Sequence, residues 1–359
     1  MKKNVFVIAE AGVNHNGSVQ MALELVDAAA DAQADAVKFQ TFQANKLVVR
    51  KAPKSNYQLA TTDSAESQFE MLKKLELSNE AHHKIQAHCN SRKIEFMSTP
   101  FDHDGIDFLV DEMKVSRLKL PSGEITNAPY LLKAARTGKP IILSTGMSHL
   151  AEVEEALAIL AFGYFNATDQ PTAEKIRSTW KSDQAVALLR KNVTLLQCTT
   201  EYPAAFSDVN LRAMETLRQE FKVNVGISDH TPGINIPIAA TALGAIVVEK
   251  HFTLDRKLPG PDHQASLEPA ELKAMIQGIR QVEAALGNGV KAPAATEVKN
   301  LEVVRKSLVA LKPVKRGEIF TEENLGVKRP GTGISPIRFW EYLGQRVTRD
   351  FDADQLIEE

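Results

Sequence analysis

The chain has 359 residues, 43% hydrophobic and 25% charged, with a formal net charge of −2 and a pI near 6.5. That balance fits a soluble globular protein and argues against a nucleic-acid partner, which demands a strongly basic face; no apolar stretch approaches the length that spans a bilayer, so no membrane partner is expected. Two cysteines far apart in sequence, Cys89 and Cys198, make no disulfide framework, and a cytoplasmic location is expected.

The opening segment "MKKNVFVIAEAG" imitates a secretory leader, but its apolar run stops at Glu10, too short for that role. The same run reads as the first of eight short β-branched strands. In chain order they are "VFVIAEAG", "DAVKFQTF", "IEFMSTPF", "RLKLPSGE", "PIILSTGM", "VTLLQCTTEYP", "VNVGISDHT" and "AIVVEKHFT". Between them, segments such as "SVQMALELVDAAADAQ", "NAPYLLKAARTG", "HLAEVEEALAILAF" and "LRAMETLRQEFK" space their apolar residues at three and four, as a helix with one buried face does.

Strand and helix in eightfold alternation predict an α/β fold, a (β/α)₈ TIM barrel over residues 1–286 closed by the helix "EPAELKAMIQGIRQVEAALG". Residues 287–300, small and Gly/Pro-bearing, read as a linker. Residues 301–359, with short alternating runs and Gly-bearing turns, predict a small β-rich domain near the lower size limit for independent stability.

Each strand ends in polar residues, and in this fold the carboxyl ends of the strands open onto the catalytic face. Some of the serines and threonines are expected to cap the following helices; the lysines and glutamates have no such role. His230 and His251 tip neighbouring strands, and two neutral imidazoles with open positions suit a divalent ion such as Mn²⁺, Zn²⁺, Fe²⁺ or Co²⁺. His15, His82, His83, His88, His103 and His149 fall in loops or helix starts and are expected to face solvent. His263, in a rim loop, is left open.

Lys38 and Lys119 point from strands two and four, with Thr99, Ser122, Thr200 and Ser228 on the same rim. Inward ammonium groups require an anion, either ion pairs with Glu10 and Glu124 or, as the hydroxyls favour, a phosphate and carboxylate on one small ligand. Glu10, Glu124 and Asp262 can bind sugar hydroxyls or carry protons, and spacing alone does not divide those roles.

Together "IAEAGVNHNG", "VKFQTF", "STPFD", "KLPSGE", "ILSTGM", "CTTEYP", "SDHT", "EKHFTLD" and "GPDHQASLEP" resemble the bacterial sialic acid synthase family. "VKRPGTGISP" is similar to that family's C-terminal antifreeze-like (SAF) domain. The resemblance implies condensation of phosphoenolpyruvate with an N-acylated mannosamine-type sugar to a nine-carbon 2-keto acid and phosphate, with no organic cofactor. It implies Mn²⁺, with Mg²⁺ or Co²⁺ as alternatives, on His230 and His251. Phosphoenolpyruvate would lie on Lys38, Thr99, Lys119, Ser122, Thr200 and Ser228, and the sugar on Gln40, Tyr202 and Asp262. Glu124 and Glu10 would be the catalytic carboxylates. A domain-swapped homodimer would bring Arg329 of "KRPG" to the N-acyl group.

One departure stands out. Some members read His-Cys-Thr-Asn before the "YP" dipeptide, where this chain has Gln197, Cys198, Thr199, Thr200 and Glu201. The texture of "CTTEYPAAFSDVNLRAM" resembles the legionaminic acid branch. Rival readings are a pseudaminate synthase, a metal-dependent pyruvate aldolase and, outside enzymes, a sugar- or ice-binding protein. A Schiff base through Lys38 or Lys119 is disfavoured, because a lysine held beside an anion stays protonated.

Overall fold

The computed structural model describes residues 4–358. Contacts divide the chain into two compact units, one ending at Gly287 and the other beginning at Asn288. The first holds eight parallel strands: β1 Phe6–Gly12, β2 Ala36–Thr41, β3 Glu95–Pro100, β4 Leu118–Leu120, β5 Ile141–Ser144, β6 Val193–Cys198, β7 Asn224–Asp229 and β8 Val247–His251. Their order is β3-β2-β1-β8-β7-β6-β5-β4, and β3 and β4 lie side by side without a ladder among the described residues. This is the expected barrel.

Alternation along each strand sends successive side chains to opposite faces. Outward residues such as Val7, Val37, Leu118, Leu143, Leu195 and Val248 join the apolar layer under the helices. Inward residues Phe6, Ile8, Ala36, Met97, Ile142, Leu196 and Val247 make a separate apolar floor inside the barrel. That floor is tight at Gly226, where a Cβ would lie 2.2 Å from Val247 O and 2.9 Å from Leu196 Cδ2.

The helices begin where the sequence supplies caps. Ser18 Oγ accepts from Met21 N ahead of Val19–Asp31, and Asn127 Oδ1 accepts from Tyr130 N ahead of Ala128–Arg136. The sequence reading assigned no element between β2 and β3, yet four helices lie there: Ala44–Leu47, Asn56–Thr61, Gln68–Leu75 and Asn79–Arg92. The last buries Ala81, His82, Ile85 and Cys89, a stripe in which a histidine replaces an aliphatic residue and blurs the apolar period.

The second unit pairs β9 Ser307–Ala310 antiparallel with β10 Leu325–Lys328 around Leu308, Val314, Phe320, Leu325, Val347 and Phe351. The stretch read as a linker ends in a helix, Ala295–Val304. No helix among the described residues is long and apolar enough to cross a membrane.

Candidate active site

One inward step above the apolar floor, the same strands turn polar. The register sets Lys38 of β2, Glu10 of β1 and His251 of β8 side by side, with Ser228 of β7 beside Glu249 of β8. These groups open into a cavity of about 310 Å³ at the carboxyl ends of the strands. Gln40, Thr99, Lys119, Ser122, Thr200, Tyr202, His230 and Asp262 also line it.

Lys38 Nζ lies 2.5 Å from Glu10 Oε2 and 3.7 Å from Glu249 Oε2, and donates to Thr99 Oγ1 at 2.9 Å. Lys119 Nζ lies 3.5 Å from Glu249 Oε1, which also accepts from Ser228 Oγ at 2.9 Å. Burial pushes the Glu10 carboxyl up to about 7, with the charge of Glu249 adding to it against Lys38. Burial would raise Glu249 as well, but Lys119 and Lys38 outweigh it and hold that group below the ordinary carboxylate range. Where Glu10 is protonated, Lys38 and Lys119 share the single carboxylate of Glu249, and burial, with the charge of Lys38 adding to it, lowers the Lys119 ammonium below its ordinary range; an anion placed there would favour both charged lysines.

Beside them is a cradle of unpaired donors. Ser144 Oγ and Thr200 Oγ1 are buried and have no hydrogen-bond partner among the described residues. Gly146 N donates to Ser122 Oγ at 2.9 Å, and a Cβ on Gly146 would stand 2.3 Å from Thr200 Oγ1 and 2.9 Å from Ser122 Oγ. A side chain there would fill the space into which these hydroxyls project. Thr200 thus sets a hydroxyl at the position of the one departure noted in the sequence.

The His230 and His251 rings lie 5.4 Å apart, centroid to centroid, and the Tyr202 ring lies 4.1 Å from that of His230. His230 Nδ1 donates to Thr199 O at 2.6 Å, so in the neutral ring Nε2 keeps its lone pair; burial opposes the charged form, but Cys198 and the Thr199 carbonyl outweigh it and raise the imidazole above its ordinary range. His251 Nδ1 has no hydrogen-bond partner among the described residues, and Asp262 Oδ2 is 4.0 Å from it. Burial, with His230 and Lys38 adding to it, keeps His251 neutral well below the ordinary imidazole range. Burial lifts the Asp262 carboxyl to about 6.

Two expected site residues lie elsewhere. Glu124 sits half-buried in the turn Ser122–Glu124, accepts from Asn127 Nδ2 at 2.6 Å and does not line the cavity. Arg329 belongs to the second unit, where its Nε donates to Val304 O at 3.0 Å. Two histidines expected in solvent are buried. His82 hydrogen-bonds Thr41 Oγ1 at 2.9 Å, and His15 Nδ1 accepts from Gly17 N at 3.0 Å.

The family comparison follows this geometry. The NeuB family model matches residues 25–291, and the SAF domain model matches 305–359. The chain belongs to the NeuB family. Its relatives in that family include the N,N'-diacetyllegionaminic acid synthase of Campylobacter jejuni, 50% identical over 99% of this chain and 100% of that one. The N,N'-diacetyllegionaminic acid synthase of Legionella pneumophila is 46% identical over 97% of this chain and 92% of its own. Among solved structures, N-acetylneuraminic acid synthetase from Leptospira borgpetersenii, in complex with citrate, matches with a TM-score of 0.67 at 32% identity. That match covers 84% of this chain and 91% of the other.

Sequence reading of this NeuB-family chain gives no role to three features. Glu249, one polar strand tip among the others, bridges both lysines, for which Glu10 and Glu124 were the ion-pair partners weighed against an anionic ligand. Tyr57 comes from the helical excursion after β2 and sets its ring 4.9 Å from that of Tyr202. Leu47, Val48 and Leu72, from the same excursion, give the cavity an apolar wall. No short motif marks them.

Proposed function

We propose that this chain joins phosphoenolpyruvate to an N-acylated mannosamine-type sugar, releasing phosphate and a nine-carbon 2-keto sugar acid. The observation that carries the reading is the convergence of Lys38, Lys119, the unpaired hydroxyls of Ser144 and Thr200, and the open space over Gly146 on one wall of the cavity. A small ligand with a phosphate and a carboxylate satisfies all of them at once.

The donor set fits a divalent ion as well: His230 and His251 line one cavity, His251 Nδ1 is unpaired, and an ion there would bind the neutral form of His230 through Nε2. Among the described residues no group of three or more ligating side chains is assembled, so water and substrate oxygens would complete the shell. We assign the ion as Mn²⁺, with Mg²⁺ and Co²⁺ as alternatives; bound there it would supply Lewis-acid polarisation of a carbonyl oxygen.

The chain's own groups do the rest. Lys38 and Lys119 hold the enol phosphate so that its nucleophilic carbon faces the sugar aldehyde, and the carbon–carbon bond forms between them. Water then adds to the phosphate-bearing carbon and the carbon–oxygen bond to phosphate breaks. Ser144 and Thr200, with Ser122 whose hydroxyl oxygen accepts from Gly146 N, would donate hydrogen bonds to the departing group. Glu10, at about 7, is tuned to hold or release a proton near neutral pH, whereas Glu124 outside the cavity would have to act through water. Gln40, Tyr202 and Asp262 are left for sugar hydroxyls.

The finer assignment is the 2,4-diacetamido-6-deoxy sugar of the legionaminate branch. Leu47, Val48 and Leu72 would meet a methyl terminus better than a hydroxyl, and two relatives carry that name at 50% and 46% identity. We further propose a cytoplasmic domain-swapped homodimer in which Arg329 reaches the other protomer's cavity; both cysteines being free agrees with a reducing compartment. The deciding assay measures phosphate release from phosphoenolpyruvate with N-acetylmannosamine and, in parallel, its 2,4-diacetamido-6-deoxy relative. Turnover with the latter at the higher kcat/KM is expected. No phosphate release from phosphoenolpyruvate, with product formed when pyruvate replaces it, would identify a pyruvate aldolase instead.

A further inference from the structure

The "VNHNG" stretch after β1 takes no direct part in the chemistry above, yet Asn14 and His15 are fully buried and Asn16 is half-buried. The side-chain amides of Asn14 and Asn16 both reach one loop. Asn14 Nδ2 donates to Phe252 O at 2.8 Å and to Ser266 Oγ at 2.9 Å, and Ser266 Oγ donates to Asp262 O at 2.7 Å. Asn16 Nδ2 donates to Pro259 O at 2.9 Å, while Asn16 Oδ1 accepts from His263 Nε2 at 3.2 Å. His263 Nδ1 in turn accepts from Thr253 Oγ1 at 2.7 Å.

These partners belong to one loop. It leaves β8 at Phe252 and returns at Leu267, where a backbone bridge closes its neck, and its far end carries Asp262 into the cavity. Asn14 fastens the neck and Asn16 the tip. The tip approaches so closely that a Cβ on Gly260 would stand 2.8 Å from Asn16 Oδ1 and 2.7 Å from His263 Cδ2. Gly260 also has φ +147°, which side-chain-bearing residues rarely adopt. Loop backbone otherwise lacks the ladder that fixes a strand, so its position depends on such side-chain ties.

We propose that Asn14 and Asn16 are positioning residues that clamp the 253–266 loop and thereby set the Asp262 carboxyl against the bound sugar. The assignment of Asp262 to the sugar rests on the function proposed above; the clamp itself rests only on geometry. Both amides act on the sugar half of the cavity, while the lysine and hydroxyl cradle for phosphoenolpyruvate hangs on other strands.

Asn16→Ala is the chosen variant, because Asn16 is half-buried and its loss leaves the Asn14 ties in place. Hydrogen–deuterium exchange of the full chain is expected to rise over residues 253–266 and to stay unchanged in β1–β8. In steady-state assays the sugar KM is expected to rise by roughly 10-fold, with the phosphoenolpyruvate KM within about twofold of wild type. Gly260→Ala, which drives the same contacts apart, should reproduce both signatures. Unchanged exchange in the loop would overturn the clamp. Raised exchange with an unmoved sugar KM, or an equal rise in both KM values, would overturn its role in positioning Asp262. Should the wild-type protein release no phosphate with either sugar, the proposed function fails, while the exchange measurement still decides the clamp.

Discussion

Two layers of the same barrel, one inward step apart, behave as different materials. The lower, Ile8, Ala36, Met97, Ile142, Leu196 and Val247, is apolar and buried, and excludes even a methyl group at Gly226. The upper carries Glu10, Lys38, Lys119, Ser228 and Glu249, equally buried but polar, and all but Ser228 are ionisable. A charge at that depth survives only with partners, and here the partners are mutual while some donors remain unspent. The difference separates what holds the barrel together from what it is for: the floor contributes stability, and the ionised layer spends some of it to stay ready for an anion.

Perturbing one layer at a time sharpens that division. The largest effect is expected from Lys119→Met, which removes half of the cationic cradle and leaves Glu249 facing Lys38 alone. We expect kcat/KM for phosphoenolpyruvate to fall by roughly 10³-fold or more in phosphate-release assays, with the circular-dichroism spectrum unchanged. A fall below tenfold would mean that the anion lies elsewhere.

His251→Ala should lose bound manganese, measured by elemental analysis after dialysis, together with about 10²-fold in turnover. Full metal content in that variant would exclude the imidazole pair as the ion's seat. In the floor, Leu196→Ala opens a cavity where Leu196 is fully buried, at a cost of about 2–5 kcal/mol in denaturant unfolding. Turnover per folded molecule should stay within about twofold, since no reacting group moves far. Equal damage to stability and rate would show that the two layers are not separable.

The smallest expected effect is a pH dependence. The Glu10 carboxyl stands at about 7 in the folded state against an ordinary 4.5, so the folded chain holds that proton more tightly than the unfolded one. The associated stability is fully present below pH 4.5 and is lost as pH rises through about 7. Glu10→Gln cannot ionise, so its melting temperature relative to wild type should climb across that window. A flat difference would place the ionisation outside it.

The barrel was legible because its signal is local: eight β-branched runs, each tipped with polar residues, alternate with amphipathic segments. The candidate rim residues were legible for the same reason, since strand ends are visible in a sequence. The excursion after β2 was not. Its helices are short, and their half-buried apolar residues, such as Leu47 and Leu72, pack over a cavity rather than a sheet, so they leave no long period to read. His15 and His82 are expected in solvent because polar residues in loops usually are; here Thr41 Oγ1 and Ser78 O engage both ring nitrogens of His82, and Gly17 N donates to His15 Nδ1 in the interior.

The amino-acid sequence by itself determined that eight strands occur, in what order, and which of their residues alternate inward, because those follow from backbone sterics and a two-residue period. Only the tertiary structure decided which inward charges meet. Glu249 became the bridge between two lysines, and Asn14 and Asn16 became ties on a loop some 240 residues away. Neither follows from local propensity. Both depend on the register and curvature of the barrel's strands, which bring distant side chains within hydrogen-bond reach once every strand is in place.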